Sequence, residues 1–75
     1  MPTSPPRDPV LHAVGLRIRR AREARGLSLE ALAERSGLSS RSIIGIEHGR
    51  SDMRLRSLLA IAAALEVAPG ELLAD

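Results

Sequence analysis

None of the 75 residues is a cysteine, so the chain can form neither a disulfide nor a thiolate zinc site. Phe, Tyr and Trp are missing too, and the core must be assembled from Leu, Ile, Val and Ala. Such a core is thin. A domain this short buries a modest share of its surface, and a second copy of the chain is the most direct source of added stability. Lysine is also absent: all eleven basic side chains are arginines, with no Lys, Tyr or Cys to titrate in the alkaline range. The isoelectric point therefore reaches ≈ 11.0 although the formal net charge is only +2. No apolar run is long enough to span a bilayer and no secretory signal is found, so a cytoplasmic protein is expected. No segment alternates with period two, so no strands are predicted. His12 and His48 have no Cys or second His near them in sequence, which argues against a metal site. The acids are scattered, and there is neither a Gly-rich phosphate loop nor a nucleophile elbow. No enzyme, cofactor or small-molecule ligand is expected.

The charge that is present is unevenly placed. Residues 1–25 carry six arginines against Asp8 and Glu23, a balance of +4. Arg50 to Arg56 carry three arginines against Asp52, or +2. Ser57 to Asp75 carry Glu66, Glu71 and Asp75 with no base, or −3. A polyanion would meet the first two regions and avoid the third. Ordinary solvated surface is the plainer reading of the same pattern.

Residues 1–8 read as a flexible N-terminal arm, since three prolines in the first seven positions remove donors and fix φ. Residues 9–75 read as a single domain. Asp8-Pro9 is a helix start, with an acid at the cap and Pro at the first helical position. Leu11, Val14, Ile18, Ala21, Arg22 and Arg25 recur on one helical face, and Gly26 is the expected stop. Ser28 caps a second helix, Leu29 to Arg35, with Leu32 and Ala33 inward. Gly37 supplies a tight turn, and Ser39 caps a third helix to about Glu47, with Ile43 and Ile46 inward. After a polar loop at 50–54, a fourth helix is predicted from about Met53 to Glu66, with Leu55, Leu58, Ala62 and Leu65 inward. A short fifth helix starts at Ala68-Pro69 and carries Leu72 and Leu73.

Two short helices about the Gly-containing turn Ser36–Ser39 make a helix-turn-helix. The second is slim enough to enter a DNA major groove about 12 Å wide, where each base pair shows its own donor and acceptor pattern. The first can lay its N-terminal amides against a phosphate. Across Val14 to Leu73, the marks Arg22, Gly26, Leu27, Ser28, Leu32, Ala33, Gly37, Leu38, Ile43, Glu47, Gly49 and Leu58…Ile61-Ala62…Ala64-Leu65 stand at fixed spacings. In these the chain resembles the phage Cro/repressor type of helix-turn-helix regulators, the XRE family. The stretch Ile43 to Ile61 is most similar to the controller proteins of restriction–modification systems. The chain departs from the family at Leu29, where a phosphate-binding Gln is usual. It departs again at Met53, at Arg54 (which leaves Asp52 to cap helix four) and at Ala68.

The resemblance implies an all-α, compact five-helix, lambda-repressor-like domain. It also implies a sequence-specific regulator of transcription, such as a repressor, that binds a palindromic double-stranded DNA operator as a homodimer. It puts Ser39, Ser40, Arg41, Ile44 and Gly45 on the base-reading face. Arg41 suits a guanine, Ile44 suits a thymine methyl, and Gly45 leaves room for close approach. Surface charge is the other reading of Arg41, and a protein contact that of Ile44. Phosphate contacts fall to Arg17, Ser28, Ser42, His48, Arg50, Arg54 and Arg56. Arg22 and Glu47 are expected to form a structural ion pair between helices one and three. Surplus apolar residues at Leu59, Ala63, Val67, Leu72 and Leu73 mark the C-terminal helices as the dimer interface. The alternative from another class is an antitoxin-type protein-interaction module that neutralises a toxin and regulates its own synthesis. A further segment would then be expected, and only two residues follow Leu73.

Overall fold

The computed structural model describes residues 8–73, which form five helices and no strand. These are α1 (Pro9–Ala24), α2 (Leu29–Ser36), α3 (Ser40–Glu47), α4 (Leu55–Leu65) and α5 (Pro69–Leu73). Of the expected N-terminal arm, all but Asp8 lies outside the described residues.

Helix ends are set by local hydrogen bonding. The Asp8 carboxylate accepts from the Val10 and Leu11 amides at 2.8 and 3.4 Å, while Pro9 has no donor to leave unsatisfied. Ser28 accepts from Ala31 N at 3.0 Å and Ser39 from Ser42 N at 3.1 Å, so each short helix starts on a serine cap. Gly49, at φ 70, closes α3: the Arg50 amide returns to the Gly45 carbonyl at 2.9 Å and the Gly49 amide to Ile46 at 3.1 Å. A Cβ on Gly49 would also lie 2.7 Å from the His12 Cα, so α1 passes directly over this turn.

α4 starts later than the periodicity suggests, and its cap differs from expectation. Arg54 is the capping residue and contributes no side-chain bond. Asp52 is spent on the Met53 amide at 2.8 Å instead of the helix. At the other end Glu66 occupies the left-handed region at φ 59, where an L side chain is strained. Ala68 cannot cap α5, but Glu71 reaches back to the Ala68 amide at 2.9 Å and closes that end from inside the helix.

The core gathers Val14 and Ile18 from α1, Leu32 and Ala33 from α2, and Ile43 and Ile46 from α3. To these α4 adds Leu58, Ile61, Ala62, Ala64 and Leu65, and α5 adds Leu72. α3 packs against α1 and α2, α4 against α2, and α5 against α1 and α4. Two expectations fail here. Leu55 is 70% exposed, while Ile61 and Ala64, outside the predicted inward set, join Leu58, Ala62 and Leu65 in the core. α4 carries apolar residues on more than half its circumference, so period alone does not tell which stripe faces in. Leu72 is only 2% exposed; it plugs the core and is withdrawn from any interface.

α1 and α3 approach so closely at Gly15 that an added Cβ would collide with the Ile46 carbonyl oxygen and lie 2.8 Å from the Glu47 carbonyl oxygen. These are backbone atoms and cannot rotate away. Alanine would favour the helix itself by about 0.5–1 kcal/mol, but overpacking a fixed contact costs about 1–3 kcal/mol. Gly15→Ala is therefore expected to lower the melting temperature, read by circular dichroism. An unchanged or higher value would mean that the helices separate freely.

Candidate nucleic-acid interface

Burial on one side of α3 leaves the other side open. Ile43, Ile46 and Glu47 face inward, so Arg41, Ile44 and His48 fall on the outer face. Arg41 is exposed, and Ile44 is 38% exposed although large and apolar. Ser40 is half-buried. Ser39 is exposed, but its hydroxyl is occupied: it accepts the Ser42 amide and donates to the Ser42 Oγ at 3.0 Å. Gly45 is not open to an incoming base, because the direction its side chain would take is filled by Ser51.

The phosphate candidates are spread over four elements and the loop after α3. Ser28 is exposed at the start of α2. Arg17 is half-buried on α1. His48, at the end of α3, is exposed with Nδ1 2.8 Å from the Ile44 carbonyl oxygen. Arg50 and Arg54 lie in the loop after α3, and Arg56 opens α4; all three are exposed. Ser42 and Arg54 are brought together in a groove of mixed polarity with Leu38, Ile46, Ser51, Asp52, Met53 and Ser57. Sequence reasoning did not single out Ser51 or Ser57, because loop serines carry no periodic signal.

Ion pairing divides the eleven arginines. Arg19 meets Glu23 at 3.3 Å and Arg25 meets Glu66 at 2.9 Å, both on the surface, so part of the N-terminal positive charge is answered within the protein. Among the described residues, Arg17, Arg41, Arg50, Arg54 and Arg56 form no ion pair. Arg41, Arg50, Arg54 and Arg56 are also exposed, so their charge faces solvent on the outer face of α3 and the segment that follows it, while Arg17 is half-buried on α1.

Arg22 has a different task. Its Nε and Nη2 donate to the two Glu47 oxygens at 2.7 and 3.1 Å, and its Nη1 donates to the Leu27 carbonyl at 2.8 Å. The Glu47 side chain is 3% exposed and that of Arg22 12%. The hydrogen bond to Glu47 raises the Arg22 pKa above its ordinary value, against the opposing effect of burial. The guanidinium thus stays charged and is unavailable to DNA.

Among the described residues, no group of acids and histidines is placed to hold a metal, and no helix is long and apolar enough to cross a membrane.

The helix-turn-helix family HTH_3 matches residues 18–72. Among solved structures, the chain is similar to the restriction–modification controller protein C.AhdI from Aeromonas hydrophila. The two share 42% identity with a TM-score of 0.81, covering 83% of this chain and 94% of that one. The wild-type controller protein C.Esp1396I is 31% identical with a TM-score of 0.80, over 87% and 84% of the two chains. The clp gene regulator ClgR from C. glutamicum is 27% identical with a TM-score of 0.85, over 93% and 90%. No curated protein matches the chain.

Proposed function

The chain belongs to the HTH_3 family of XRE-type helix-turn-helix proteins and is a DNA-binding transcription regulator; from that premise we propose that it acts as a homodimer on a palindromic operator, as the controller protein of a restriction–modification system. The likeness to C.AhdI over nearly all of that chain's length carries the controller role. In this reading the protein works in the bacterial cytoplasm without a cofactor.

α3 is the helix that enters the major groove. Arg41 and Ile44 read bases, with Ser40 beside them at the helix start. Ser28, Ser42, His48, Arg50, Arg54 and Arg56 hold phosphates and set the register, and Arg17 extends that contact along α1. Ser39 contributes through its cap, which fixes the start of α3.

A second copy is needed because one eight-residue helix reads only a half-site. The surface proposed for it follows the exposed apolar residues. Leu55, Leu59 and Ala63 stand four residues apart along α4, all exposed. Leu55, Leu73 and Val10 border one groove between α1, α4 and α5. Val67 is half-buried in a separate hollow with Ala21, Ala24 and Arg25, so it is not included.

Selection of bound duplexes from a random pool tests the DNA reading. An inverted, repeated half-site should emerge, bound at about 10⁻⁸–10⁻¹¹ M and more weakly as salt rises. A pool that stays random would overturn it. Within the selected site, Arg41→Ala should cost about 1–3 kcal/mol and relax preference at one base pair per half-site. Arg50→Ala should weaken all sequences alike and lower the salt slope by about one. If Arg41→Ala keeps the full preference, the base-reading face lies elsewhere. The controller role predicts that deleting the gene changes the level of a restriction or modification enzyme; constant levels of both would remove that role and leave the DNA reading intact.

A further inference from the structure

The groove beside α3 takes donors from three places: Ser42 on α3, Arg54 in the loop after it, and Ser57 in the first turn of α4. Each has a proton to give. Ser42 Oγ accepts from the Ser39 hydroxyl at 3.0 Å, which leaves its own O–H to donate. The Ser57 hydroxyl and the Arg54 guanidinium have no hydrogen-bond partner among the described residues. Ser42 and Arg54 are exposed and Ser57 is half-buried. Leu38, Ile46 and Met53 give the groove its apolar lining. Asp52 is the acid in the lining; it accepts the Met53 amide at 2.8 Å, and its charge offsets that of Arg54. The groove therefore selects by its converging donors more than by net charge. Donors without acceptors suit a ligand that only accepts, and the unesterified oxygens of a phosphodiester carry negative charge and no hydrogen. Ser42 is exposed on α3 and follows Arg41, so the groove borders the helix proposed to meet bases.

We propose that this groove seats one backbone phosphate of DNA, held jointly by the Ser42 and Ser57 hydroxyls and the Arg54 guanidinium. Ser57 is the new member, and it turns two separate phosphate contacts into one site spanning α3, the loop and α4. The inference rests on the reading that α3 meets DNA. Such a contact fixes the register of the duplex and reads no base.

The test measures binding of the full chain and its variants to the selected duplex. Alanine favours a helix more than serine does, so the melting temperature of Ser57→Ala should not fall. Its binding should weaken by about two- to tenfold per half-site, the worth of one hydrogen bond. The salt slope should stay as it was, because a hydroxyl displaces no counterion, whereas Arg54→Ala should lower it by about one. Asp52→Asn keeps an acceptor for the Met53 amide and removes a negative charge, so it should bind more tightly than the parent. The preferred half-site should be the same in all three variants.

Replacing the phosphates of the duplex one at a time by neutral methylphosphonates locates the seat. At one position in each half-site the penalty should shrink in Ser57→Ala and in Arg54→Ala alike, while penalties elsewhere stay as in the parent. Ser57→Ala binding as the parent does, Asp52→Asn failing to bind more tightly, or the two variants sharing no phosphate overturns the proposal and leaves the DNA reading standing. A changed base preference in Ser57→Ala also overturns it, by making Ser57 a reading residue. A parent chain that selects no duplex removes the DNA reading and the phosphate seat together.

Discussion

Glu47→Ala is expected to destabilise the protein by about 3–5 kcal/mol, the cost of stranding one member of a buried ion pair. A domain of this kind has only about 5–15 kcal/mol in total, and each kcal/mol moves the melting temperature by about 4–8 °C at this size. The magnitude follows from geometry. Arg22 gives both carboxylate oxygens of Glu47 a hydrogen bond, and neither side chain has appreciable access to water. Removing the carboxylate leaves the guanidinium with the Leu27 carbonyl as its remaining acceptor. Because Arg22 also ties the end of α1 to Leu27, just before the Ser28 cap of α2, the damage should spread from α3 into the start of the helix-turn-helix. Arg22→Met should be comparably harmful, and the double change to two apolar residues less harmful than the sum of the singles, since no charge is then left unpaired. Thermal and urea unfolding without DNA provide the measurement. A melting temperature unchanged in Glu47→Ala would show that the pair contributes nothing. The pH dependence has a definite sign. The Arg22 pKa is raised in the folded state, so its contribution is complete below the ordinary arginine value and lost only as pH rises past the folded one. This arginine should therefore leave stability flat across the neutral range.

Leu59→Arg should separate the protein into monomers and abolish specific binding. The side chain is 46% exposed, so an arginine there leaves the core untouched and helix content should persist. In an apolar contact between two copies it would bring two like charges together out of water. A monomer reads one half-site, and the expected loss is at least about 10³-fold, the lower end of the gap between specific and non-specific binding. The proposed dimer would set two recognition helices about 34 Å apart, one duplex turn. Sedimentation of the parent chain and the variant, free and on the selected duplex, checks both halves of the expectation. A parent chain that remains monomeric at high micromolar concentration and on DNA would discard the dimer. A variant that still dimerises and binds would move the interface away from α4. Leu55→Arg offers an independent probe of the same stripe, since Leu55 is more exposed still.

What the chain determines by itself is whatever closes over three or four residues. Ser28 and Ser39 cap their helices from the adjacent turn, and Gly26, Gly37 and Gly49 take φ values of 67, 79 and 70 where the periodic segments end. Those local rules place the helix-turn-helix, and with it the outer position of Arg41, before any packing is known. Distance in sequence is where they stop. Arg22 and Glu47 are 25 residues apart, and no spacing rule joins them; the family resemblance suggested the pair, and the crossing of α1 and α3 closes it. α4 offers two apolar stripes, and only docking against α2 and α5 decides that Ile61 and Ala64 go in while Leu55 stays out. Leu72 and Leu73 are neighbours of one kind, separated into core and surface by where α5 lands on α1 and α4. Arginine counts overstated the charge open to a polyanion, because Arg19, Arg22 and Arg25 find carboxylates in the fold. Gly15 and Gly45 look like weak points in helices until the neighbouring chain is in place; the Ile46 carbonyl and Ser51 then occupy the volume a side chain would need. Sequence periodicity says which residues lie on one face, but only the packed neighbours say what that face meets.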